Sequence, residues 1–402
     1  MPSVAAWLVG LLMMQGVGSQ VPPYQDFRKA GAGFYGDGRE DPDPADLTAV
    51  RIGVLGPARL AEGLQQRAAV QLALEDANRR GGYCQKPPAS AGGEIARDNR
   101  RCIPYEMIFR ADDGPWGIGA RQVVQFAYED KVWAIIGGLD GQQTHLAELV
   151  VAKAWVPVVS PGATDSTIDY ANVPWVFRAV PADTEQVSAL LDLAEKRGYR
   201  HLVALTEIQR EAYSGFLRLK EGTGRRRHPL EMHLEYSALN PTEIIPRLSG
   251  VPIDALLIWG RAEPALTLIR GLRKAGIGAP ILGPASLATP QVAQSAGPLG
   301  QLTVASPCDL SRSDTGYMEF ARRFKERTED PPSVIALYSY DVTRLVIEAI
   351  ESAGLNRARI RDRLSATDYS GLTGKIVFTS LGGNPAAPVL MFLAGNRWVR
   401  LE

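Results

Sequence analysis

Two loops rich in glycine, hydroxyl and amide side chains are the part of this sequence best suited to bind a small molecule. GGLDGQQTH occupies residues 137–145 and SPGATDST occupies residues 160–167, and each follows a short apolar run. Glycine lets a ligand approach the backbone, and Thr164 can donate through its hydroxyl as well as its amide. Such loops suit a carboxylate or a neutral polar group, although turns and helix caps use the same residue types.

The sequence lacks the residue patterns of common enzyme sites. It contains no G-x-S-x-G, no G-x-x-x-x-G-K-[ST], and no G-x-G-x-x-G at the start of the first helix. Three cysteines and four histidines are scattered without metal-site spacing, and His145 with Glu148 is typical of a surface pair rather than a zinc site. We therefore predict a binding protein that is not an enzyme and uses neither a cofactor nor a metal.

Alternating strand and helix patterns must position the two loops. Val50, Ile52 and Val54 alternate as in a strand, and apolar residues from Ala69 to Ala77 recur at helical spacing. The same alternation continues to residue 274. Short apolar strands joined by amphipathic helices predict parallel sheets covered on both faces, and ligands bind beyond the carboxyl ends of such strands.

Length and charge limit the class of protein further. The chain has 402 residues, of which 45% are hydrophobic, and this is enough for two ordinary domains. Its 44 basic residues balance 44 acidic ones, so no overall field attracts nucleic acid or anionic lipid. We expect no nucleic-acid partner.

The first residues have the pattern of an export signal. An apolar stretch from Val4 to Met14 is followed by small residues, with Val17 and Ser19 placed for cleavage. We predict a signal peptide over residues 1–19 and a linker or extended arm over residues 20–47. No later stretch is long and apolar enough to span a bilayer, so the cleaved protein should be soluble and periplasmic or otherwise extracytoplasmic.

Cys84 and Cys102 bracket a stretch rich in Pro, Gly and Arg. An oxidising compartment favours a disulfide that closes this insertion, and the alternative is two unpaired thiols in a loop. Cys308 is left without a partner.

Taken together, the motifs resemble the Leu/Ile/Val-binding proteins of ABC transporters, which have the type I periplasmic binding fold. The resemblance runs from Val50 to Glu402, and its best markers are RIGVLGP, ANRRGG, IDALLIWGRAE and the stretch from Ile136 to Thr164. It implies an α/β protein of two Rossmann-like, doubly wound parallel-sheet lobes joined by three hinge crossings. Lobe 1 would hold residues 48–180 and 308–371, and lobe 2 residues 181–307 and 372–402. The crossings would lie near 178–183, 305–309 and 370–374.

The resemblance also implies which residues bind the ligand. The first lobe would hold a carboxylate, and residues of the second lobe and of the cleft wall would complete the site. The resemblance places Asp140, Gly141, Gln142, Gly162, Thr164, Tyr213 and Arg261 at ligand-binding positions. We add Ala163 within SPGAT, Asp183 as a source of negative charge and Trp116 as a wall of the cleft to the predicted ligand-binding residues.

Three positions depart from the family pattern. Gly141 stands where a serine is common, and Arg261 replaces a tyrosine or another neutral side chain. Ala285 stands where an acidic residue often holds the ligand's ammonium. Asp140, Asp183, Glu207 or Glu263 could supply that charge, and Arg261 could select an additional acidic group on the ligand; the alternative for each is a solvated surface role.

These patterns predict an extracytoplasmic solute-binding protein. It would capture an amino acid or a related carboxylate between its lobes, work as a monomer and deliver the ligand to ABC permease subunits. The alternatives are a ligand sensor of the same fold, or an interaction protein whose pocket has changed.

Overall fold

The structure is a computed structural model, and it describes residues 38–44, 46–85, 102–115, 117–295 and 299–402. The predicted signal peptide, most of the predicted arm, most of the 85–101 insertion and Trp116 lie outside these residues. No helix in the described ranges is long and apolar enough to cross a bilayer.

Strands and helices alternate along most of the chain. The strands are β1 Val50–Gly56, β2 Tyr83–Cys84, β3 Cys102–Ile103, β4 Tyr105–Ala111, β5 Ala134–Gly137, β6 Val158–Ser160, β7 Val176–Arg178, β8 Leu202–Glu207, β9 Met232–Tyr236, β10 Ala255–Trp259, β11 Ile281–Gly283, β12 Leu302–Ser306, β13 Asp368–Gly371, β14 Gly374–Val377, β15 Val389–Ala394 and β16 Arg397–Arg400. The α-helices are α1 Ala61–Arg79, α2 Ile118–Tyr128, α3 Gly141–Ala154, α4 Thr167–Ala171, α5 Asp183–Lys196, α6 Arg210–Arg225, α7 Ala262–Lys274, α8 Pro290–Gln294, α9 Thr315–Thr328, α10 Val334–Ala353 and α11 Arg357–Ser365. Short 3₁₀ helices cover Pro241–Leu248 and Ala285–Leu287.

The first lobe is built on a five-stranded sheet in which every strand pair is parallel. Its order is β4-β1-β5-β6-β7, so β4 pairs with one side of β1, and β5, β6 and β7 follow in turn on the other side. Both GGLDGQQTH and SPGATDST follow neighbouring strands, β5 and β6, at their carboxyl ends. That is the edge at which parallel sheets bind ligands.

The second lobe contains a seven-stranded sheet with the order β16-β15-β12-β11-β10-β8-β9. The strands from β8 to β12 pair in parallel, whereas β15 and β16 are antiparallel additions at one edge. The sequence pattern missed β11, because its three residues end in Gly283 and stand between Pro280 and Pro284, residue types that are typical of turns. The mixed α/β architecture with parallel sheets confirms the predicted fold class.

The chain passes between the two sheets three times. It leaves the first sheet after β7 and enters the second at β8, then returns after β12 to place α10 against α1 and β5. After the β13–β14 hairpin it goes back to the second sheet as β15. The exact lobe boundaries given above remain a prediction.

The three cysteines lie as follows. Cys84 and Cys102 are joined by a disulfide at the base of the insertion, on the short β2–β3 ladder. Cys308 is a free, buried thiol, and its burial raises its pKa to about 12. A thiol with so high a pKa is a poor nucleophile at neutral pH.

Candidate ligand-binding site

A cavity of about 840 Å³ lies between the loops that follow the strands of both sheets. The first lobe contributes the start of α1, the loop after β4 and the two glycine loops. The second lobe contributes the starts of α6 and α7 and the loop after β11. A volume of this size accommodates an amino acid or a larger organic solute.

Asp140 and Ser160 organise the two glycine loops from within. Asp140 is the N-cap of α3, and its Oδ1 accepts a hydrogen bond from the amide of Gln143 at 2.7 Å. The hydroxyl of Ser160 donates to the carbonyl of Gly138 and accepts from the amides of Ala163 and Gly162, at 3.0 and 3.4 Å. The amides of Gly162 and Ala163 are therefore already bonded within the protein.

Two amides of the other glycine loop, those of Gly141 and Gln142, are bonded to a side chain of the second lobe. Glu211, in the first turn of α6, accepts from the amides of Gly141 and Gln142, each at 3.3 Å. Those amides begin α3, where a helix favours an anion. A carboxylate of the protein thus occupies the position at which the family resemblance implies the carboxylate of the ligand.

The absence of a side chain at residue 141 makes this contact possible. A Cβ atom added to Gly141 would lie 2.7 Å from Cβ of Asp165 and 3.1 Å from Oε2 of Glu211. A serine at this position would push against both neighbours. The departure Gly141 and the acid Glu211 are therefore two parts of one arrangement.

Glu207 neutralises Arg261. The Arg261 guanidinium donates through Nε to Oε1 of the buried Glu207 at 2.8 Å, and the Arg261 amide donates to Oε2 at 2.8 Å. Arg261 lines the cavity, but its charge is already paired. The pairing opposes the prediction that Arg261 selects an acidic group on the ligand.

Asp112 is a buried carboxylate at the wall of the cavity. The side chain is only 3% exposed, and its Oδ2 has no hydrogen-bond partner. Burial, with the nearby charges of Asp140 and Asp113, raises its pKa to about 7. An ionised carboxylate in such a place gains from a cationic partner.

Asp183 and Glu211 also have raised pKa values. Burial raises the pKa of Asp183 to about 8, and the charges of Asp165 and Glu211 act in the same direction. Burial and the charge of Asp140 raise the pKa of Glu211 to about 7. Carboxylates whose pKa is raised this far are common where a protein binds or reacts.

The ionisable side chains around the cavity are mostly acidic. Among the described residues, seven acidic side chains and two basic ones line it: Glu62, Asp112, Asp113, Asp140, Asp183, Glu211, Asp330, Arg261 and Arg327. Arg327 is paired with Glu75 at 2.8 Å. Both cationic groups of the lining are thus compensated by acids.

The structure brings only some of the predicted ligand residues to the cavity. Asp140, Gly162, Thr164, Asp183 and Arg261 line it. Ala163 is fully buried behind its loop, and Gly141 and Gln142 contribute amides to Glu211. Their roles in binding stay predictions.

The predicted ligand residue Tyr213 lies on α6, and its role in binding stays a prediction. Its side chain is 53% exposed and packs beside Phe216, outside the lining of the cavity. In the same first turn of α6, Glu211 and Ala212 line the cavity instead. Trp116 lies outside the described residues.

A second polar cluster supports the loop behind the cavity. His145 contacts Oε2 of Glu148 through Nδ1 at 2.6 Å and Thr167 through Nε2 at 2.8 Å, and Oδ2 of Asp165 lies 3.7 Å from Nε2. Arg210 of α6 also reaches Oδ2 of Asp165, at 3.4 Å. Asp165 and Glu148 raise the pKa of His145 to about 9.

Replacing His145 with glutamine should therefore lower stability in a pH-dependent way. The folded pKa lies above the ordinary value, so the stabilisation is complete below about pH 6.5 and is lost as the pH rises through 9. The acids that contact the ring are Glu148 and Asp165, and Arg210 contacts Asp165 in turn. We expect the melting temperature to fall by about 3–6 °C at pH 6 and by less at pH 9.5.

His201→Gln is the matched control, because His201 pairs with Glu231 at the surface. It should change the melting temperature little at either pH. An equal loss for His145→Gln at pH 6 and pH 9.5 would rule out the charged histidine as the cause.

Relatives among known proteins share this architecture. A leucine-, isoleucine-, valine-, threonine- and alanine-binding protein of Pseudomonas aeruginosa is 21% identical over 350 residues, 83% of this chain and 86% of the relative. The isoleucine complex of a branched-chain amino acid transporter substrate-binding protein of Streptococcus pneumoniae matches with a TM-score of 0.73 and 19% identity, covering 88% of this chain and all of that one. A solute-binding protein from R. palustris in complex with benzoate matches with a TM-score of 0.72 and 17% identity, over 88% and 95% of the two chains.

The sequence profile of the periplasmic binding protein family matches residues 49–395, which include the first sheet, every strand of the second sheet except β16, and the residues that line the cavity. This match and the shared fold confirm the resemblance drawn from the motifs. The chain belongs to the periplasmic binding protein family.

Proposed function

We propose that this protein captures a small organic solute in the cavity between its lobes, outside the cytoplasm, and delivers it to an ABC permease. The observation that carries the proposal is the cavity itself, which is enclosed by strand-end loops from both sheets. Two structural relatives are known in complex with isoleucine and with benzoate, so amino acids and aromatic acids are among the first solutes to test.

Contacts between the lobes support a mechanism of closure around the solute. Glu211 and Arg210 of the second lobe reach Gly141, Gln142 and Asp165 of the first. A solute that touches both lobes would add to these contacts and favour the closed arrangement. A permease can then distinguish the loaded protein by its shape.

A thermal-shift screen tests the proposal. A solute that binds only the folded protein raises its melting temperature by mass action, by RT ln(1 + [L]/Kd) in free energy. We expect at least one amino acid, aromatic acid, amide or amine to do so, and we expect Thr164→Ala to reduce the shift. Thr164 lines the cavity, and its hydroxyl interacts with the Asp183 carboxylate.

Thr267→Ala is the control, because Thr267 lies on the exposed side of α7 and bonds only its own helix. It should leave the shift intact. If no solute in any of the four classes changes the melting temperature, the cavity does not serve capture and the proposal fails.

A further inference from the structure

The charges and hydrogen bonds of the cavity also indicate which chemical class of solute it takes. We propose, resting on the solute-binding function above, that the ligand is an organic amine with an apolar body and no carboxylate, and that Asp112 holds its cationic group.

The first step is the loss of the carboxylate site. The amides of Gly141 and Gln142 are bonded to Glu211, and those of Gly162 and Ala163 to Ser160. A ligand carboxylate would have to displace Glu211 and then lie among the acids of the lining. Repulsion between the carboxylate of the ligand and these acidic side chains would oppose binding.

The second step is the unpartnered acceptor. Asp112 lines the cavity, is only 3% exposed and leaves its Oδ2 without a hydrogen bond. Gln143, another residue of the lining, also has a buried side-chain oxygen, Oε1, without a partner. Buried acceptors in the cavity wall that lack a donor would be satisfied by a group that only donates, such as an ammonium.

The third step separates an organic cation from a metal ion. In the part of the chain that the structure describes, no three His, Cys, Asp or Glu side chains are arranged to hold a metal. The cavity also carries exposed apolar side chains, among them Leu60 and Leu64 at the start of α1, which are 57% and 51% exposed. These side chains suit the hydrocarbon body of an amine and would gain nothing from a bare ion.

Matched compounds test the inference. Leucine, 3-methylbutylamine and 4-methylpentanoate share one branched body and differ only in carrying both charges, the amine alone or the acid alone. Phenylalanine, phenethylamine and 3-phenylpropanoate form a second set, and putrescine and cadaverine extend the amines. We expect at least one amine to raise the melting temperature at pH 7.5 and to bind, by calorimetry, at least tenfold more tightly than any acid.

Asp112→Asn identifies the residue that holds the cation. It keeps the size of the side chain and should weaken the best amine at least tenfold. Glu106→Gln changes an exposed carboxylate on β4, the strand that precedes Asp112, outside the lining, and should change the affinity for the amine less than twofold. Folding of both variants is checked by their melting temperatures without solute.

The outcomes separate the two proposals. If an acid or an amino acid binds more tightly than every amine, the inference is wrong and the solute-binding function stands. The same holds if Asp112→Asn leaves amine affinity unchanged, or if calcium chloride alone produces the shift. If amines, acids and amino acids all fail to bind, both proposals fall together.

Discussion

Replacing Glu211 with alanine is expected to raise the affinity of the protein for 4-methylpentanoate by about 10- to 100-fold, because it frees two helix-start amides. Glu211 now accepts from Gly141 and Gln142 at 3.3 Å each. A hydrogen bond to a charged group contributes about 1.5–3 kcal/mol, which corresponds to that range of affinity. Isothermal titration calorimetry of the variant and the unaltered protein measures the change directly.

The same substitution should weaken the binding of amines, since it removes one of the acids around the cavity. The preference between the matched amine and acid would then narrow or reverse. Glu211→Gln provides an intermediate, because its amide oxygen can still accept from one of the two N–H groups. Glu221→Ala is the control, since Glu221 lies on the same helix but pairs with Arg218 and Arg225 at the surface.

An unchanged affinity of Glu211→Ala for the acid would show that the amides of Gly141 and Gln142 are not the obstacle. In that case the remaining acids of the lining, chiefly Asp140 and Asp183, would have to account for the exclusion of carboxylates. A gain in acid affinity that Glu221→Ala reproduces would instead indicate a general effect of charge.

The sequence was sufficient to locate the loops of this site. GGLDGQQTH and SPGATDST follow apolar strands, and parallel pairing brings their ends to one edge of the sheet. Periodicity also predicted the sequence of strands and helices from β1 to α7, because amphipathic helices and buried strands have distinct periods. Short elements such as β11 and α4 escaped it.

The contact of Glu211 with these loops and the burial of Asp112 could not be predicted in the same way. Glu211 bonds to residues about 70 positions away in the chain, and this contact depends on how the second lobe meets the first. Asp112 follows β4 and resembles any loop acid in the sequence, whereas its burial and unpartnered Oδ2 exist only in the folded chain. Local patterns contain no information about such long-range pairing.

The largest loss of stability is expected from Arg178→Met, at the first crossing between the sheets. Arg178 is only 2% exposed, and its Nε donates to Oδ1 of Asp169 at 3.0 Å. Its other nitrogens contact Oδ2 of Asp169 and the carbonyl of Val180. Breaking a buried ion pair from one side typically costs about 3–5 kcal/mol, because the other charge is left without a partner. We expect the melting temperature to fall by roughly 10 °C in differential scanning calorimetry.

Arg322→Met is the matched control for this loss. Arg322 pairs with Glu319 and Glu326 on the surface of α9, where its side chain is 56% exposed. Exposed pairs of this kind contribute about 0–1 kcal/mol. A similar small change for Arg178→Met would mean that the buried pair at the crossing does not stabilise the fold.

A double variant separates the unpaired charge from the lost side chain. If Asp169 without its partner is the main cost, Arg178→Met combined with Asp169→Leu should be more stable than Arg178→Met alone, since no buried charge then remains. If the loss comes from the hydrogen bond to Val180 instead, the second substitution should restore nothing. The main chain of Arg178 bonds to Gly382 and Asn384 on the segment leading back to β15, so the first and third crossings meet at this residue. These backbone bonds and the bond from Asn384 Nδ2 to the carbonyl of Ala179 remain in both variants, so restored stability in the double variant would show that the unpaired charge of Asp169 is the main cost of Arg178→Met.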